Sequence, residues 1–194
     1  MDGSCTASSR ATSLDESEVP AVSNELWPRD TVAPQWHPKV AQFFLYWRRI
    51  HPAVGLPGRQ HFDPLAIHPL LPGVWLLDIQ RQPFRLRYRL IGTEAVEAVG
   101  TEVTGQWMDE AHGAVAQLPG YLDRYRAVVE QTLPSWRRGA PRLWTHKKYA
   151  TLENILVPLA SDGSTVDMLA ALTVFHAAPH GESDSRPQVL SRVF

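Results

Sequence analysis

Residues 84–92 read Phe-Arg-Leu-Arg-Tyr-Arg-Leu-Ile-Gly, and their alternation constrains the fold more than any other stretch. Phe84, Leu86, Tyr88 and Leu90 recur with a period of two, and Arg85, Arg87 and Arg89 fill the gaps. Only a β-strand places such a set on one surface, with one face apolar and the other charged. The preceding run, Val74 to Gln80, is apolar, compact and rich in large side chains, which suits a buried strand. Residues 80–83 between them have hairpin character, so the two strands are expected to pair antiparallel.

Other elements arrange themselves around this pair. Pro38 suits the first position of a helix that Pro52 stops, and Val40, Phe43, Phe44, Trp47 and Ile50 form one broad apolar stripe along it. Five prolines from Pro52 to Pro72 forbid a long α-helix in the next segment, where Asp63–Pro64 resembles the start of a short helical turn. Thr93 is read as the cap of a short helix that ends at Gly100, and a longer helix should run from about Pro119 to Pro134. The last third reads as three strands: Pro-Arg-Leu-Trp-Thr-His-Lys-Lys-Tyr from 141, Glu-Asn-Ile-Leu-Val-Pro-Leu-Ala from 153, and Ser-Thr-Val-Asp-Met-Leu-Ala-Ala-Leu-Thr-Val-Phe from 164. Ser161-Asp162-Gly163-Ser164 is a strong hairpin turn between the second and third. Pro158 marks an edge, a bulge or a strand end.

The ends differ in character. Residues 1–34 are expected to be a mostly disordered tail, because Ser, Thr, Ala and acidic residues dominate and too little apolar surface is available to offset ordering. Residues 177–194 form a second tail, leaving a domain over 35–176. Net charge is −1, which leaves no electrostatic footprint for nucleic acid and no polybasic membrane signal. The single Cys5 cannot form an internal disulfide and leaves no Cys-rich metal motif. With no signal peptide and no spanning apolar run, the expected compartment is the cytoplasm.

The strings FFLYWRRI, LPGRQHFDPLAIHPLLPGVWLLDI, FRLRYRLIGTEAVEAVGTEVTG and ENILVPLASDGSTVDMLAAL resemble a largely alphaproteobacterial family of PAS-like domains, long catalogued as a domain of unknown function. The resemblance covers roughly residues 38–176. It implies an α+β fold, a PAS-like five-stranded antiparallel sheet with helices on one face, plus the N-terminal helix. It also implies a non-enzymatic, free-standing sensory or regulatory module in signal transduction, binding a small ligand, a protein partner or both. The alternative is a ligand-free dimerisation or interaction protein.

Pocket candidates on this reading are Trp75, Leu86, Tyr88, Leu90, Trp107, His112, Trp144, Val157 and Met168. They are aromatic or apolar side chains on strands or in the crossover, with a few polar tips. The same aromatics could simply fill a core. The helix stripe Val40, Phe43, Phe44, Trp47 and Ile50 is the candidate surface for a homodimer or partner, or the cover of the open sheet face.

Catalytic and metal chemistry find little support. No GxSxG elbow, HExxH motif or phosphate loop occurs, and residues 93–133 contain no cysteine of the kind flavin photochemistry requires. His112 is the position to examine for a haem ligand, a role known in some PAS domains, but no cofactor is expected. His112 or His146 paired with a carboxylate in a cleft would argue for an enzyme instead. Asp109 and Glu110 read as solvated acids or as charges at a pocket mouth. The Arg85, Arg87, Arg89 stripe reads as a solvated face or as a docking surface for an acidic partner.

Overall fold

The computed structural model describes residues 23–141 and 149–177. Its strands are β1 (Ser23–Leu26), β2 (Val74–Gln80), β3 (Arg85–Ile91), β4 (Ser135–Gly139), β5 (Tyr149–Leu159) and β6 (Met168–Ala177). They form one antiparallel sheet in the order β1-β4-β5-β6-β2-β3. The helices are α1 (Pro38–Arg49), α2 (Thr93–Val99), α3 (Met108–Ala111), α4 (Gly113–Ala116) and α5 (Asp123–Gln131). The proline-rich segment coils into 3₁₀ turns over Arg59–His61 and Pro64–Gly73, with Asp63 accepting from Leu65 N at 2.9 Å. Short 3₁₀ pieces suit a stretch whose prolines remove the donors of an α-helical ladder.

The distribution of helices over the two faces follows from two neighbours on β5. Glu153 Oε1 accepts from the backbone N–H of His37, at the start of α1, at 2.7 Å. Asn154 Oδ1 accepts from Arg124 of α5 at 2.6 Å. Adjacent strand residues point to opposite faces, so α1 covers one face, here the outer, and α5 the other, the inner. Ala98 of α2 packs with Leu152, which has the parity of Asn154 and is therefore inner. Met108 and His112, at either end of α3, are buried, and His112 meets Tyr88 on the inner face. The crossover helices therefore gather on one face of the five-stranded unit β3-β2-β6-β5-β4, as the α+β reading requires, and α1 lies opposite.

Several expectations need correction. The tail does not run to residue 34: Ser23–Leu26 pairs with β4, and Ala33 and Trp36 are buried. Pairing with β4, and not intrinsic preference, makes a strand of this polar tetrapeptide. Ser-Trp-Arg-Arg-Gly at 135–139 forms β4, a strand not read from the sequence; of the run read as a strand from 141 to 149, residues 142–148 lie outside the described part, and Tyr149 opens β5. Gly92, not Thr93, is the N-cap of α2, and α5 begins at Asp123, four residues past Pro119. Pro158 sits near the end of β5, two residues beyond the last pairing with β4.

The aromatic stripe of α1 is not a free surface. Val40, Phe43, Phe44 and Trp47 are each fully buried, and Ile50 is half-buried. Trp47 Nε1 donates to Pro158 O at 3.0 Å, and Trp36 stands edge-on to Phe44 with ring centres 5.2 Å apart. Of the two roles read from the sequence, the stripe takes the second: it covers the outer face of its own sheet.

Candidate functional site

The inner face carries the polar chemistry. From β2, Trp75 Nε1 donates to Thr173 Oγ1 on β6 at 2.9 Å. Asn154 Nδ2 donates to the same hydroxyl at 2.9 Å and to Leu172 O at 3.1 Å. The Asn154 carbonyl accepts from Arg124, whose Nε reaches Ser135 Oγ at 2.9 Å and whose Nη2 reaches Ser135 O at 2.7 Å. Thr173, Ser135 and Asn154 are all buried. These five side chains join α5 to β4, β5, β6 and β2 in one hydrogen-bonded chain. Buried polar groups this well satisfied specify a single arrangement, because each would be costly if left unmade.

Next to this chain lies a second polar contact. Tyr88 OH and His112 Nε2 are 2.9 Å apart, and the Tyr88 ring lies 6.1 Å from that of Trp75. Burial pushes the Tyr88 phenol well above its ordinary range and pulls the His112 imidazole below its own. Both groups are therefore neutral near pH 7. His112 meets a phenol and not a carboxylate, and its Nε2 is engaged there. Among the described residues no cluster of three or more His, Cys, Asp or Glu side chains could hold a metal ion.

The predicted pocket residues divide. Trp75, Leu86, Tyr88 and His112 do share the inner face. Val157 and Met168 have the parity of Glu153 and lie on the outer face, on the two strands α1 covers. Leu90 also faces outward, because a bulge sets Leu76 opposite Leu90 but Leu77 opposite Tyr88, so Arg89 is an extra residue that reverses the alternation. Trp107 sits beside β3, bridged to Arg87, with the Arg85 guanidinium 4.4 Å above its ring. Trp144 and His146 lie outside the described residues.

The arginine stripe is largely neutralised within the chain. Arg85 grips Asp109 with two bonds of 2.9 and 2.8 Å and Glu110 with a third of 2.8 Å. Its hydrogen bonds, and to a lesser extent its charge, hold the Asp109 carboxyl below the usual range. Arg87 and Arg89 approach Asp78 at 3.9 and 3.4 Å. Asp109 and Glu110 are thus partners of Arg85, not isolated solvated acids.

Arg124, Ser135, Asn154 and Thr173 were not singled out by sequence reasoning. Asn154 and Thr173 each interrupt an apolar strand, which is the one signal that could have marked them. No helix among the described residues is long and apolar enough to cross a membrane. No curated protein and no solved structure matches this sequence. The PAS domain family matches over residues 35–173, the span that carries β2 to β5, the first part of β6 and all five helices, and the chain belongs to that family.

Proposed function

We propose that this protein is a cytoplasmic PAS-type sensory or regulatory module in signal transduction, with a small ligand held between the inner sheet face and helices α3 to α5. The observation that supports this is the hydrogen-bonded chain from Arg124 to Trp75. A ligand that competes for any of its donors, or for the Tyr88–His112 pair beside it, favours a different seat for α5 and shifts the population of packings a partner meets. The aromatic rings of Trp75 and Tyr88 provide flat apolar contact, and the neutral His112 and Tyr88 tips provide orientation without charge. This reading contains no chemical step and no catalytic residue.

Partner binding and homodimerisation belong to the same reading, but they use surfaces other than Val40, Phe43, Phe44 and Trp47. Native mass spectrometry of freshly purified protein tests the ligand: an added small-molecule mass that is lost on unfolding supports it. A mass that stays bare across preparations favours the ligand-free interaction protein. Sedimentation over a range of concentrations tests the homodimer.

A further inference from the structure

The outer face is not covered evenly. Helix α1 lies over β5 and β6, and the 3₁₀ segment Pro64–Gly73 lies beside β2. Between that segment and the outer side of β2 and β3 a groove of about 440 Å³ remains. Phe62, Leu71, Val74, Leu76 and Leu90 form its walls, and Leu90 is 42% exposed there because the bulge turns it outward. The end of the groove is fixed. Gly92 lies so close to the carbonyls of Leu71 and Pro72 that a Cβ would come within 2.3 and 2.4 Å of them, so only glycine lets β3 meet the 3₁₀ segment here.

The charge of the groove has one sign. Arg59 lines the rim, with His68 nearby, and no carboxylate lines it among the described residues. Arg59 donates from Nη1 to Phe62 O at 2.9 Å and rests over the Phe62 ring at 5.8 Å. It has no ion pair among the described residues, and a guanidinium has five N–H donors. The volume falls within the roughly 300–1,000 Å³ of small-molecule sites, towards the small end. An apolar slot with an unneutralised cation at its mouth is complementary to an apolar body that ends in an anion.

We infer that this groove is a second binding site, separate from the inner face, for a small amphipathic carboxylate whose apolar body lies on Val74, Leu76 and Leu90 and whose carboxylate pairs with Arg59. The inference does not depend on a ligand at the inner face.

Methyl-resolved NMR titration with two probes that share a tail and differ in charge, decanoate and decylamine, tests it. Saturable shifts of the Leu71, Val74, Leu76 and Leu90 methyls with decanoate are expected, with the Leu86 and Leu169 methyls of the inner face unmoved. Decylamine should bind at least about tenfold more weakly, and Arg59→Gln should weaken decanoate by about the same factor, the scale of one charged hydrogen bond. Leu90→Glu, a change at an already exposed position, should remove decanoate binding and leave the inner methyls in place. Equal affinity for the two probes, or no saturable shift, would overturn the assignment. So would shifts of the groove methyls that follow protein concentration without probe, which would give the groove to a second copy of the chain.

Discussion

Glu153 and Asn154 are neighbours on β5 and both are almost sealed from water, yet they serve opposite faces of the sheet in different ways. Glu153 is a local polar device on an aromatic outer surface: its Oε1 accepts from His37 N and from Trp136 Nε1, and so anchors the start of α1. Asn154 is the middle of a polar chain that crosses four strands. Beneath α1 the outer face is held by apolar burial, with the Glu153 carboxylate at the start of the helix. The inner face is held by directional bonds that tie helix to sheet. Apolar contact tolerates small shifts, whereas a hydrogen-bonded chain exists in one arrangement or another. That difference makes the inner face the better candidate for a two-state element and the outer face the better candidate for a fixed support.

The comparison can be broken from either side, and the largest effect is expected on the outer face. Trp47→Ala removes a fully buried ring and its bond to Pro158 O, and should lower unfolding free energy by about 3–5 kcal/mol in urea titration. A loss below about 1 kcal/mol would show that α1 is not the support described here. On the inner face, Asn154→Ala removes one partner from Arg124 and one from Thr173, which keep Ser135 and Trp75, and should cost about 1–3 kcal/mol. Combined with Thr173→Val it should be non-additive by about 1 kcal/mol, and strict additivity would deny that the chain acts as a unit. Glu153→Gln keeps an acceptor but loses the charge at the start of α1, and should cost about 1 kcal/mol.

The smallest effect is a slope with pH. Burial lowers the pKa of His51, His112 and His176 from 6.5, so the fold prefers each imidazole neutral. The unfolded chain then binds protons more readily than the folded one. Stability is fully present above pH 6.5 and falls as the pH drops through that value towards the depressed folded values. The urea midpoint should therefore decline from pH 7 to pH 5, and less steeply in His112→Gln. An unchanged slope in that variant would remove His112 from the account. The Arg85–Asp109 pair acts in a separate window, lost only as the carboxylate protonates below 3.8.

Much of the architecture was legible in the sequence because it rests on local pattern. The alternation through residues 84–88 gave β3, Pro38 and Pro52 bracketed α1, and Asp162-Gly163 marked the β5–β6 turn, where Asp162 accepts from Ser164 N and Thr165 N at 2.8 and 2.7 Å. What was missed depends on tertiary partners. Ser-Asn-Glu-Leu has no strand character until β4 is beside it, and Ser-Trp-Arg-Arg-Gly conceals a strand behind two arginines. The bulge at Arg89 has no signature in the alternation, so Leu90 was assigned to the wrong face. Val157 and Met168 lie in runs that are apolar on both sides, where parity cannot be read. The α1 stripe showed that something must cover it, but sequence alone could not tell its own sheet from another molecule.

The short strand β1 has a consequence for the open side of the sheet. Without it, β4 would present a bare row of amide and carbonyl groups, a template on which a foreign strand could grow. The chain places four residues of its own there and continues the cover with Trp27 N donating to Pro134 O at 2.7 Å. At the far side, Gly105 and Gln106 bond to Tyr88 and occupy part of β3. Both rims of the sheet are thus blunted from within, so trimming the chain to its family-matched span would uncover one of them and invite aggregation.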